Sequence, residues 1–423
     1  MGIVHLMNEQ GTALMSAKAS GLRRAAIVAP IRTAVGKFQG GLAGITAGDL
    51  GAVALKALMA RTGLDPERVD DIIFAQGYGN GEAPCIARWS ALAADFPITT
   101  PGYQLDRRCG SGLQSIIDAS MMIATGAADV VIAGGVESMS NAEYYSLDMR
   151  GGARQGPVVM HDRLTRGRVM SQPISRFGVI SGMIETAENL AKDYNISREA
   201  CDVYAARSHQ RAAAAWAAGK FDDELIPVPV PQKKGDPVLF ARDEGVRADA
   251  TPESLGQLRA IEKGGVVTAG NASQQNDAAA VCLVVAEDKL AELNLDPMGY
   301  MVGWAAAGCD PARMGIGPVP AVERLFARFG LSWSDIGLVE LNEAFAPQVL
   351  AVLKGWGWSD DDSRHEILNV NGSGISLGHP IGATGGRILA NLMRELHRRD
   401  ARYGLETMCI GGGQGLAAVF EKA

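Results

Sequence analysis

Apolar residues along the chain fall into short continuous runs separated by stripes at three-and-four spacing, the pattern of strands alternating with helices. Ala25-Ala26-Ile27-Val28-Ala29-Pro30 predicts a strand and Thr46 to Thr62 a helix. Ile72 to Ala75 predicts a second strand, Ile86 to Phe96 a helix, and Tyr103 to Leu105 a third strand. A helical stripe then runs through Leu113, Ile116, Ile117 and Ile123, followed by a strand from Asp129 into Gly134 and Gly135. Between Gly110 and Ala128 the only charged residue is Asp118, so this helix is expected to be buried on most sides.

The C-terminal part repeats the plan. Strands are predicted at Tyr300 to Trp304, Ile336 to Leu341, Leu368 to Val370 and through Met408. Helices are predicted from Pro320 to Phe329, Phe345 to Gly355 and Pro380 to Arg398. VDDIIFAQG, starting at Val69, corresponds to IGLVELNEA, starting at Ile336, and VVIAGG corresponds to MCIGGG. A period this long is a duplicated α/β domain rather than a solenoid. Two such halves bring equivalent helix mouths and glycine turns to one cleft.

Between the halves, roughly Ser140 to Gly265, the composition shifts. The segment carries Pro227-Val228-Pro229-Val230-Pro231, a charged stretch from Arg242 to Asp249, and one strong helix from about Arg198 to Gly219. An insertion this long is expected to carry function as a lid or ligand platform. Val266 to Val285 returns to buried strand character and is expected to rejoin the first half. The expected division is an extension over 1–24, a first half over 25–139 plus 266–292, a lid over 140–265, and a second half over 293–423.

At 423 residues the chain is too long for one ordinary core, and 47% hydrophobic with 21% charged residues describes a soluble globular protein. A net charge of −7 argues against nucleic acid as a partner, and no segment reads as a membrane span or secretory leader. Cys85, Cys109, Cys201, Cys282, Cys309 and Cys409 are scattered, without CxxC pairs or metal-ligand spacing. That fits free thiols, no metal, and a reducing, cytoplasmic location.

Candidate chemistry sits at the predicted strand and helix ends. Cys109 opens the buried helix, where free N–H groups and the helix dipole favour a thiolate. The competing reading is a structural cysteine, since free Cys is among the most buried residue types. Asn342-Glu343-Ala344-Phe345-Ala346 puts polar groups where a strand yields to a helix, and Gly378-His379-Pro380 sets a histidine before a helix start. Cys409 precedes Gly411-Gly412-Gly413, a backbone able to approach a ligand closely. Neither glycine run has the GxGxxG spacing of a dinucleotide site.

Taken together, RCGSGLQ, NEAFA, GHPIGATGGR and CIGGGQG, in that order, closely resemble the four motifs of the thiolase family. The likeness extends from Ala25 onward, and DEGVRADATPESLGQLR with TAGNASQQNDAAA is similar to the family's loop-domain segments. The resemblance implies a duplicated five-layer α-β-α-β-α architecture with an inserted loop domain. It implies an acyltransferase that cleaves 3-ketoacyl-CoA or condenses two acetyl-CoA through a cysteine thioester. CoA and acyl-CoA are then substrates, no cofactor is covalently bound, and the assembly is a homodimer or homotetramer. Cys109 maps to the nucleophile, His379 to its base and Cys409 to the second acid/base. One oxyanion site maps to His379 with a water held by Asn342, the other to the N–H groups of Cys109 and Gly411. Arg247, Ser273, Phe345 and Met183 map to CoA and acyl contacts. Departures fall at Asp106, where the family usually has Asn, at Ala260-Ile261-Glu262, and near Gly182-Met183, where a usual His-Met pair is absent. These bear on the acyl and CoA pocket. The alternatives are a catalytically inactive acyl-CoA-binding relative and a ketosynthase-type condensing enzyme; the presence of Cys109, His379 and Cys409 disfavours the first, and Cys409 with NEAFA the second.

Overall fold

The computed structural model describes residues 21–423. Of the expected extension, 1–20 lie outside the described residues, while Arg23 and Arg24 are tied to the body by ion pairs to Asp129, Asp288, Glu287 and Glu421.

Strands β1 (Ala25–Thr33), β2 (Asp71–Ala75), β3 (Tyr103–Leu105), β4 (Val130–Ser138) and β5 (Asn276–Ala286) run in spatial order β1-β5-β4-β2-β3. Their near-unbroken apolar runs are those of strands covered on both faces. Strands β6 (Gly299–Gly308), β7 (Ile336–Leu341), β8 (Tyr403–Ile410) and β9 (Gln414–Lys422) run β7-β8-β9-β6. The half-sheets meet where Ala26 pairs with Tyr300 and Ile27 with Gly299, making one continuous 11-stranded sheet that includes two short strands.

The first half contributes helices α1 (Ala47–Thr62), α2 (Ile86–Ala93) and α3 (Ser111–Thr125). The inserted segment contributes α4 (Arg163–Val169), α5 (Met183–Asp193) and α6 (Arg198–Ala217). The second half contributes α7 (Pro318–Phe329), α8 (Ala346–Gly355) and α9 (Thr384–Arg398). Helices α1 and α2 share a core with one face of the first half-sheet, through Leu55, Leu58, Ile86, Phe74 and Leu283. Helices α7 and α8 share another with the second, through Leu325, Val349, Val339 and Leu405. Between the half-sheets lie α3 and α9, whose Leu113, Ile116, Ile388 and Leu392 pack with Val131, Val284, Met408 and Phe420. The result is the five-layer α-β-α-β-α arrangement.

The two middle helices touch backbone to backbone. A Cβ on Gly112 would sit 2.8 Å from both Gly382 O and Gly385 N, and one on Gly385 would collide with Leu113 N. Only glycine fits at these two positions.

Three sequence expectations change. Leu368 to Val370 is not a strand but two isolated bridges, because Asn369 has φ 45° and uses its side chain instead, accepting from Leu341 N at 2.8 Å. The strand expected from Val266 begins only at Asn276. Before it, Asn271 folds the chain on itself, its Oδ1 accepting from Thr268 N at 2.8 Å and its Nδ2 donating to Val266 O at 3.0 Å. The helix expected from Pro380 starts as a tight turn, Ile381–Ala383, with α9 proper from Thr384. Helices α4 and α5 were not anticipated. Among the described residues no helix is long and apolar enough to cross a membrane.

Candidate active site

Cys109 sits in a single tight turn, Arg108–Gly110, that runs into α3. Short side chains fix that turn. Asp106 Oδ1 accepts from Arg108 N at 2.7 Å, and Ser111 Oγ accepts from Arg107 N at 2.7 Å while donating to Arg108 O at 2.6 Å. Arg108 takes φ 48°, a left-handed conformation that costs a non-glycine residue on the order of 1 kcal/mol. Asp106, a departure from the usual Asn, thus supplies an acceptor that either residue would offer.

The thiol is buried, and burial is the largest influence on it, pushing its pKa above the ordinary value. The N–H groups of Gly411 and of Cys109 itself, with the Arg108 charge, pull the other way without winning. The expected resting thiolate at the helix mouth therefore gives way to a neutral thiol with two N–H groups aimed at it.

His379 precedes α9 as Cys109 precedes α3. Its N–H donates to Asn276 Oδ1 at 2.8 Å, tying the second half to β5 of the first. Nδ1 lies 2.7 Å from Thr384 Oγ1, and that hydroxyl donates its one proton to Pro380 O at 2.9 Å. Thr384 therefore accepts from Nδ1–H, leaving Nε2 a bare lone pair. Burial, then Arg387 and Arg168, push the imidazole down to about 3. It is neutral at any working pH.

Nε2 faces Asn342 Nδ2 at 3.5 Å. Asn342 is fully buried at the end of β7, and its Oδ1 has no hydrogen-bond partner among the described residues. A buried carbonyl oxygen left open in this way is a site for a water or ligand donor. Next to it, Glu343 accepts from Tyr204 at 2.9 Å, Ser208 at 2.6 Å and Ile375 N at 3.2 Å, which anchors the insertion's α6 under the site.

Cys109, His379, Gly411, Ser273, Phe345 and Met183 all line one cavity of about 490 Å³. Both halves and the insertion contribute to it. Cys409 is fully buried and packs behind the wall with Phe345, Met314 and Ala344. Burial raises its pKa well above the ordinary thiol value, and a charge on Cys109 would raise it further. Arg247 is exposed and does not line the cavity; its backbone N–H donates to His209 Nδ1 at 3.2 Å. The positions that require glycine are Gly412 and Gly413, at φ 86° and 85°. At Gly411 a Cβ would make only ordinary contacts, with Met183 Sδ at 3.7 Å and Ser171 Oγ at 3.8 Å, so its small size leaves cavity space rather than relieving a clash.

Sequence reasoning did not single out Thr384, Glu137, Tyr78 or Arg168. Glu137 is a cross-half clasp: its oxygens accept from Gly77 N at 2.8 Å, Tyr78 N at 3.1 Å and Gly382 N at 2.9 Å. Burial pushes this carboxyl up to about 7 against those three donors. A lone acidic residue in the run Gly134-Gly135-Val136-Glu137 was the available signal.

Residues 25–288 match the family model for the N-terminal domain of thiolase, and residues 295–422 that for its C-terminal domain. The chain is 46% identical over 399 residues to an acetyl-CoA acetyltransferase of Chromobacterium violaceum, covering 94% of this chain and 99% of the relative. The Bacillus anthracis acetyl-CoA acetyltransferase superposes with a TM-score of 0.90 at 41% identity, covering 95% of this chain and 99% of that one. Human mitochondrial 3-ketoacyl-CoA thiolase in complex with CoA gives 0.87 at 40% identity, covering 95% and 98%. Fold, cleft and relatives define an acyltransferase. The chain belongs to the thiolase family.

Proposed function

We propose that the protein cleaves 3-ketoacyl-CoA with free CoA, and condenses acetyl-CoA in reverse, through an acyl group carried on Cys109. The observation that carries this reading is the meeting of Cys109, two N–H donors and the bare Nε2 of His379 in one cavity. The Cys109 sulfur attacks the 3-keto carbon as its proton passes to Nε2. A neutral thiol beside a neutral imidazole suits transfer during attack rather than before it. The carbonyl oxygen gathers charge against the N–H groups of Cys109 and Gly411; losing one such donor typically costs roughly 3 kcal/mol of barrier.

The bond between C2 and C3 then breaks, and the Cys409 thiol protonates the departing acetyl-CoA enolate. His379, now carrying a proton on Nε2, and a water held at Asn342 Oδ1 stabilise that enolate oxygen. CoA enters, gives its proton to the Cys409 thiolate and attacks the Cys109 thioester; Cys109 leaves and recovers its proton from His379. Ser273, Phe345 and Met183 line the path of the pantetheine arm, and Arg247 lies beyond it toward the nucleotide. A homodimer or homotetramer, a cytoplasmic location and a part in fatty-acyl breakdown follow from the family resemblance.

The test is thiolysis of acetoacetyl-CoA followed at the enolate absorbance. Cys109→Ser is expected to lower kcat by at least about a thousandfold with CoA binding retained. Normal turnover in that variant would end the assignment.

A further inference from the structure

The cavity has a second wall that the chemistry above leaves unused. Tyr78, Met139 and Ile381 line it and pack with Leu164 as a cluster separate from the one around Phe345. The wall lies beside the reacting groups: a charge on Cys109 acts on the Tyr78 phenol, and Arg168 acts on both that phenol and His379. Gly167 packs close to the Tyr78 ring, which sets Arg168 at the end of α4 facing the cavity.

Arg168 has the Tyr78 phenol as a hydrogen-bonding neighbour but no carboxylate to pair with. Arg163, on the same helix, pairs with Glu143 at 2.7 Å. Arg108, also on the cavity, donates to Gly77 O at 3.1 Å and lies 3.9 Å from Asp106. Arg168 forms no ion pair among the described residues. Asp162, whose charge it feels, spends its oxygens on the N–H groups of Leu164 and Thr165 at the start of α4. Glu137 is committed to its three N–H donors, and Glu262 is the remaining acidic group lining the cavity.

A free cation here works against the base, because its field disfavours a proton on His379. Cleaving a plain alkyl chain gives it no purpose. The phosphates of CoA do not supply one either, since the pantetheine arm holds them far from the thiol that reacts beside Tyr78. A guanidinium at the end of a short apolar wall, with a phenol hydroxyl next to it, matches a carboxylate carried on a few methylenes.

We propose that the acyl branch of this cavity takes short 3-ketoacyl-CoA substrates whose chain ends in a carboxylate, with Arg168 as its counter-ion and Tyr78 beside it. This rests on the thiolysis reading and names its substrate class.

The test compares kcat/KM for 3-oxoadipyl-CoA and 3-oxohexanoyl-CoA, six-carbon thioesters differing in the terminal carboxylate, in the full-length wild type, Arg168→Met and Arg168→Lys. The wild type is expected to favour the dicarboxylic thioester at least about tenfold, a preference that shrinks with added salt. Arg168→Met is expected to cut that ratio at least about tenfold, mainly through KM, and Arg168→Lys to restore part of it. A wild type that favours the alkyl chain, or a Met variant that loses both substrates equally, overturns the proposal. If acetoacetyl-CoA is cleaved and the dicarboxylic thioester is not preferred, only this proposal falls. If no 3-ketoacyl-CoA is cleaved, the thiolysis reading falls first.

Discussion

At the Cys109 sulfur two influences oppose each other, and burial outweighs the N–H groups of Gly411 and Cys109 and the nearby Arg108. The local sequence announces only one of them. A cysteine at a helix mouth advertises a low pKa, whereas the apolar residues that close over it come from β8 and β9, hundreds of positions away. The imidazole follows the same logic, pushed down to about 3 by burial, Arg387 and Arg168. Reactivity therefore has a definite pH signature. Because the thiol pKa lies above its ordinary value of 9.0, iodoacetamide alkylation of Cys109 should quicken about tenfold per pH unit from 7 to 9. No step is expected near 6.5, since His379 stays neutral throughout. A plateau by pH 7, measured by peptide mapping, would mean that a thiolate is already present at rest.

At the scale of elements, most strands and helices of both halves could be read from the chain, because buried strands are continuous apolar runs and α3 carries a clean stripe. What escaped was structure set by side chains bonding to backbone. Asn369 and Asn271 each replace ladder bonds with amide bonds of their own, so apolar neighbours that resemble strands are not strands. Helix α5 was missed because its buried residues, such as Thr186, Ala187 and Glu188, are not an apolar stripe; Glu188 is buried because it accepts from Val266 N and Val267 N. Thr384, which assigns the imidazole tautomer, lies one turn beyond the histidine and gives no signal before the turn is built. The contact of α3 with α9 is the element on which the site depends most. Gly385→Ala should destabilise the fold by more than about 2 kcal/mol, despite the roughly 1 kcal/mol that alanine gains in a helix. A shift in the urea midpoint at constant m-value measures it; an unchanged midpoint would mean that the helices part easily.

For the whole molecule, the duplication was legible and its joint was not. The sheet runs unbroken through the β1 and β6 pairing, and the middle core draws residues from both halves. Each half has an outer core of its own, but the middle core belongs to both, so neither half can unfold without exposing it. A single thermal transition is expected, moving upward as a unit when CoA is added, by about 2.7 kcal/mol of stability at a hundred times Kd. Two calorimetric transitions, one indifferent to CoA, would show the halves to be independent.

The packing of α3 on α9 also settles what kind of tool this molecule is. Cys109 precedes one middle helix and His379 the other, so their separation is set by two helices in van der Waals contact and not by any loop. The working parts resemble the jaws of a vice cast in one block, while Arg168, Met183 and Arg247 ride on a cover fitted afterwards. Jaws of this kind cannot be adjusted without recasting the block, but the cover can be exchanged. Substrate range is thus free to drift from one member of such a lineage to another while the grip on the reacting carbon stays the same.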